Sequence, residues 1–265
     1  MPRSLAESAL EVLRVAQPEA KLRLSREIAA DWRDGRITEL GSASPPDRPA
    51  RPERPFLLAP GAMPKRKAGG SAGRIALLHA LAHIELNAID LAWDILARYL
   101  GEGLPRTFAD DWVTVASEEA EHHALLAQRL SRLGAAYGDL PAHDGLWQAA
   151  QDTAHDLLAR LAVVPLVLEA RGLDVTPAMI AKLKAAGDEE SAGILEVIYR
   201  DEIGHVAIGK RWFDQVARDR GLEPKATWQN LVRQHFKGRL KPPFNQDGRL
   251  KADFPADYYG PLATN

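Results

Sequence analysis

Four long stretches in which apolar residues recur at three and four positions, separated by turn-forming residues, confine this chain to an all-α fold. They run from about Arg74 to Leu100, Phe108 to Leu133, Gly145 to Arg171 and Glu189 to Arg220. The connectors "GEGLP", "YGDLPAHDG" and "RGLDVTP" carry helix-stop signals, and strand-like alternation is nearly absent. Long helices joined by short or moderate connections predict an antiparallel four-helix bundle over residues 74–222.

Two flanking segments remain. Ser4 to Arg33 reads as two short helices broken near Gln17-Pro18, an appendage packed on a larger body. Asp34 to Gly73 is rich in proline, glycine and basic residues, which predicts a connector that wraps the surface, so that residues 1–73 form helices plus loop. Its arginines and Lys65 to Lys67 could meet an anion. Residues 223–265 comprise a helix near Pro224 to Phe236 and an irregular tail whose aromatics predict that it lies against the body.

With 265 residues, 46% of them hydrophobic, the chain can bury a real core, and a net charge of -2 argues against a protein devoted to wrapping nucleic acid. The absence of cysteine excludes disulfides and thiolate chemistry and fits a reducing cytoplasm. The charged N-terminus lacks the apolar core of a signal peptide, and no run of about 18 apolar residues follows, so a cytoplasmic protein without a membrane span is expected. No phosphate-binding loop, nucleophile elbow or dinucleotide fingerprint appears.

What the core stripes contain is more specific. Leu78, Leu81, Ala82, Ile89, Ala92 and Leu96 surround Glu85, so that carboxylate belongs to the apolar face of the first long helix. In the second, Trp112, Val115, Leu126 and Leu133 frame Glu119 and His122, leaving Glu121 and His123 at the flanks. The third carries Glu169 on the side of Leu158, Leu161, Ala162, Pro165 and Leu166, and the fourth places Glu202 and His205 between Leu195, Ile198, Gly209 and Trp212.

The order is Glu, then E-x-x-H, then Glu, then E-x-x-H. Glu119 follows Glu85 by 34 residues and Glu202 follows Glu169 by 33. In antiparallel hairpins such spacing can return the chain to one height, where all six side chains meet. One E-x-x-H arises by chance roughly once in a few hundred residues; two, interleaved with core glutamates at matched spacing, carry real weight. Four buried carboxylates make sense mainly when cations neutralise them, and two divalent ions balance four charges. An oxygen-rich set with two imidazoles suits iron or manganese.

Metal-ligating histidines usually donate their other N–H to a carboxylate. Asp201 and Glu118, each just before an E-x-x-H glutamate, are the candidates, Asp201 toward His122 and Glu118 toward His205. Pro165, one turn before Glu169, is expected to remove a backbone bond and bend its helix. His79, His83, Asn87, Asp90 and Asp94 form a separate stripe turned away from Glu85 and are expected against solvent, the appendage or the tail. His143, His155 and His235 are read as ordinary isolated histidines.

The passages "GRIALLHALAHIELNAIDLAWD", "EEAEHHALLAQRLSRLG", "VPLVLEARGLDVTP" and "YRDEIGHVAIGKRWF" resemble the bacterial domain-of-unknown-function family 455, within the ferritin-like superfamily. The resemblance runs from about Arg54 through "PPFNQDGRL". It implies a ferritin-like bundle with Glu85, Glu119, His122, Glu169, Glu202 and His205 as ligands of two Fe ions, two Mn ions or a mixed pair. The expected function is an O2-activating oxidase or oxygenase acting on a small molecule. The alternatives are a ferroxidase or iron-handling protein without organic substrate, a tRNA-hydroxylase-like enzyme, and a scaffold without turnover. For nucleic acid, the basic segments Lys65 to Arg74 and Lys237 to Lys241 could contact phosphates, although overall acidity does not favour it. The sequence leaves room for a homodimer.

Overall fold

A computed structural model describes residues 4–64 and 70–263. The secondary structure among these residues is helical, with only two isolated bridges, Leu57 with Ala142 and Leu240 with Ala263. The stretch Lys65 to Lys67, expected to offer an anion contact, lies outside the described residues. The chain divides into two compact units, Met1–Trp147 and Gln148–Asn265.

In the first unit, helices α1 (Leu5–Arg14) and α2 (Pro18–Arg33) precede the long hairpin of α3 (Gly70–Tyr99) and α4 (Arg106–Arg132). Ser4 caps α1 through a capping box with Glu7, and Pro18 opens α2 at a position where its missing N–H costs nothing. α3 starts four residues before the expected Arg74. The segment Gly70–Glu102 is long and apolar enough to cross a membrane, but 67% of its most apolar window is buried. That is how a core helix covered on several sides by α4 and the appendage should look. Ser25 on α2 ties the appendage down: its hydroxyl donates to the Ala116 carbonyl at 3.2 Å and accepts from the Trp93 indole at 2.7 Å.

The second unit corrects the expected third helix. Instead of one helix over Gly145 to Arg171, the chain forms α5 (Gly145–Asp152, which crosses the unit boundary), a turn, α6 (Leu157–Val163), a π-helical segment Val164–Glu169, and α7 (Ala170–Ala185). Asp156 caps α6 by accepting from the Ala159 N–H at 3.1 Å. The expected stop at "RGLDVTP" is overridden: α7 runs through Gly172 and Pro177 because Ala170, Leu173, Thr176 and Leu183 are buried along it. α8 (Glu189–Asp219) returns against α7. The tail is less irregular than expected. After α9 (Pro224–His235) come α10 (Gln246–Lys251) and α11 (Ala256–Tyr259), and Phe254, Tyr258 and Tyr259 are buried.

Candidate metal centre

In the first unit, Glu85 on α3 and Glu119 and His122 on α4 converge. Each offers a ligand atom, and these atoms lie within 4.8 Å of one another. All three residues are buried, Glu119 and His122 with no exposed surface. The His122 Nδ1 stands 3.4 Å from a Glu85 oxygen and 3.5 Å from a Glu119 oxygen. Two atoms bound to one ion at about 2.1 Å each sit about 3.0–3.4 Å apart, so the donor set and its spacing fit a metal.

Electrostatics agree with that fit. Burial, reinforced by the Glu119 charge, pushes the Glu85 carboxyl well above the usual carboxylate range. For His122, burial disfavours the charged ring, but bonds to and charges on Glu119 and Glu85 outweigh it and lift the ring to about 11. Without a cation the cluster stores protons; a divalent ion provides the same neutralisation.

The second unit carries the counterpart. On α8, His205 Nδ1 lies 3.4 Å from a Glu202 oxygen, the same i, i+3 presentation through the same ring nitrogen. His205 is buried, and the Glu202 side chain is 13% exposed. Glu169 is half-buried at the last position of the π-helical segment. The Ala170 N–H reaches back five residues to the Pro165 carbonyl, a wider turn than an α-helix makes, and one Glu169 carboxylate oxygen is buried.

Pro165 explains why residue 209 is glycine. A Cβ on Gly209 would lie 2.4 Å from the Pro165 Cβ and 2.7 Å from its Cγ. The ring therefore nests in a notch on α8, one turn beyond His205. Gly209→Ala is expected to cost about 1–3 kcal/mol in chemical denaturation, with partial recovery on adding Pro165→Gly, which removes the Cβ that the new methyl would strike; an unchanged midpoint for the single variant would refute the steric account.

The acids expected to orient the histidines are less distinctive. Asp201 accepts from the Arg200 Nε at 2.9 Å on its own helix, and Glu118 is half-buried on α4 beside Glu119. Glu121 is exposed and pairs with Arg26 at 2.8 Å. His123, expected at the flank, is instead buried, with Nδ1–H donating to the Ala82 carbonyl at 2.8 Å.

The stripe His79, His83, Asn87, Asp90 and Asp94 is likewise buried, and appendage and loops cover it where solvent was one expectation. The His83 Nε2–H donates to the His143 carbonyl at 3.1 Å, which leaves Nδ1 to accept from the Tyr137 hydroxyl at 2.9 Å. Arg51 from the loop donates to the Asn87 side-chain Oδ1 at 2.6 Å, Asp94 pairs with Arg98, and Asp90 pairs with Lys21 of α2. His155 and His235 pack ring to ring, 5.2 Å between centroids.

Burial, helped by the Arg51 charge, pulls His83 down to about 4, and burial also pulls His123 down to about 4. Between those values and an unfolded pKa near 6.5 the unfolded chain binds more protons, so stability is lost as pH falls through that window. From pH 7 to pH 5 each ring is expected to cost about 2 kcal/mol in denaturant melts of the metal-free protein. His83→Gln should flatten the slope relative to wild type; identical slopes would contradict it.

Comparison with known proteins identifies relatives but no activity. A Haemophilus influenzae protein described as uncharacterised is 41% identical over 254 residues, covering 91% of this chain and 88% of its own. No solved structure matches. The family model "Protein of unknown function (DUF455)" matches residues 14–260, and the chain belongs to that family.

Proposed function

We propose that this chain is a di-metal carboxylate protein, built as a ferritin-like antiparallel four-helix bundle, that activates O2 to oxidise or oxygenate a small organic substrate. Glu85, Glu119 and His122 of the first unit and Glu169, Glu202 and His205 of the second would hold two iron ions, two manganese ions or one of each. The observation that carries this reading is the buried convergence of Glu85, Glu119 and His122, with ligand atoms within 4.8 Å. The repeated Glu-His presentation on α8 supports it.

Iron or manganese, when bound, would supply the redox equivalents and the Lewis acidity. The protein's own groups do the rest. Once a cation takes the place of their protons, Glu119 and Glu85 would hold negative charge in a buried site, where its electrostatic worth is greatest. The histidines present Nδ1 toward the carboxylates, so the ring orientation is set before any cation arrives. Glu202, the more exposed E-x-x-H carboxylate, would be the ligand best able to adjust to a bound ion.

Elemental analysis of protein purified from metal-supplemented culture is the direct test. About two Fe or Mn per chain is expected, with loss of binding in Glu119→Ala and in Glu202→Ala; near-zero Fe and Mn in the wild type sinks the reading. Anaerobic loading with Fe2+ followed by O2 should give O2 uptake that continues with a substrate. Uptake that stops when the added iron is consumed would assign the protein to iron oxidation instead.

A further inference from the structure

The likeness between the two hairpins extends past the ligands. Five residues after Glu85 comes Asp90, and five residues after Glu169 comes Asp174. A step of five turns about 140° around a helix and climbs about 7.5 Å, so each aspartate leaves the helix on the side away from its glutamate. Both aspartate side chains are buried, and each meets a buried cation contributed from outside its hairpin.

In the first unit the cation is Lys21 of α2. Its ammonium bonds the Asp90 carboxylate and reaches the Ala50 carbonyl at 3.4 Å, with neither charged side chain more than 1% exposed. In the second unit it is Arg249 of α10. The guanidinium grips Asp174 with two bonds, Nε to Oδ1 and Nη2 to Oδ2, both 2.8 Å. Asp174 also accepts the Asn245 backbone N–H at 3.0 Å. The rings of Phe244, Phe254 and Tyr259 lie around the guanidinium at 5.1, 5.4 and 4.4 Å. The same Nη2 donates to the Ala170 carbonyl at 3.3 Å, the residue directly after Glu169 where the π-helical segment gives way to α7.

We propose that Lys21–Asp90 and Arg249–Asp174 are matched positioning pairs that fix the rotation and height of the helices presenting Glu85 and Glu169 to the metals. The N-terminal appendage and the C-terminal tail thereby act as outer supports of the site. The physical argument is that a ligand must be held within roughly 0.5 Å of its working place. A helix locked on its back by a buried ion pair can neither roll nor slide. An apolar pair of similar volume would hold the segments together about as well, since buried ion pairs are seldom better for stability than apolar replacements. Direction is what the charged pairs add. Each aspartate stands about 140° around its helix from its glutamate, so these are positioning residues and not ligands.

The proposal rests on the metal reading above, and its test separates the two. The full chain is titrated with Mn2+ and followed by electron paramagnetic resonance, as wild type, as Arg249→Met/Asp174→Leu and as Lys21→Met/Asp90→Leu. Wild type should take up two coupled ions. Each double variant, with wild-type helix content, should bind at least one ion about 10-fold more weakly and lose the coupled spectrum. No uptake by wild type overturns the metal reading and this proposal with it. Uptake by wild type with unaltered affinity and spectrum in folded double variants overturns this proposal alone. Double variants that fail to fold would also overturn it, because the pairs would then be supporting a whole unit and not the placement of a ligand.

Discussion

Lys21→Met is expected to lower the stability of the metal-free protein by about 3–5 kcal/mol, and its melting temperature by roughly 10 °C. Lysine 21 sits on α2, yet its ammonium is fully enclosed against Asp90. Burial pulls the ammonium down and the Asp90 carboxyl up from their ordinary values, each opposed by the other's charge. Removing the ammonium leaves a carboxylate in the core of α3 with Arg51 4.0 Å away, too far for a direct hydrogen bond. The double change Lys21→Met/Asp90→Leu should restore most of the loss, since no charge is then left behind. A single variant as stable as wild type in urea would show that the core tolerates a lone Asp90.

The second large effect concerns Glu119. Its carboxyl is completely buried on α4 and its charge raises the Glu85 carboxyl's affinity for protons. Glu119→Gln should leave the melting temperature of the metal-free protein little changed, because relief of the like-charge conflict with Glu85 is offset by the loss of a counter-charge to His122. The same variant should lose the stabilisation that metal confers on wild type, about 4 kcal/mol at a concentration 1,000 times Kd. Thermal melts with chelator and with Mn2+ check both halves at once. A variant less stable than wild type in chelator and equally stabilised by Mn2+ would mean that Glu119 is a supporting core residue and not a ligand.

The buried Glu-His cluster was legible because it depends only on helical phase within each segment. Glu119 and His122, three apart, share a face whatever packs against them, and their burial and that of Glu85 follow from the apolar residues around them. Phase reading failed where the period changed. The π-helical segment Val164–Glu169 carries one legible sign, Pro165, but whether a proline bends, widens or ends a helix is decided by what lies opposite, here the notch at Gly209. It also failed where a polar side chain finds a partner far along the chain. Asp90 meets a lysine 69 positions earlier and Asp174 an arginine 75 positions later, and lysine is ordinarily a surface residue. The five-residue step from glutamate to aspartate in both hairpins was the available signal, visible once the two segments are aligned on their glutamates.

The contact between Pro165 and Gly209 has an evolutionary corollary. A lineage that replaces the proline by glycine frees the notch, and only then can position 209 acquire a side chain without loss; the reverse order passes through a strained intermediate. The two positions, 44 residues apart in the chain, should therefore change together among related proteins, with the proline lost first.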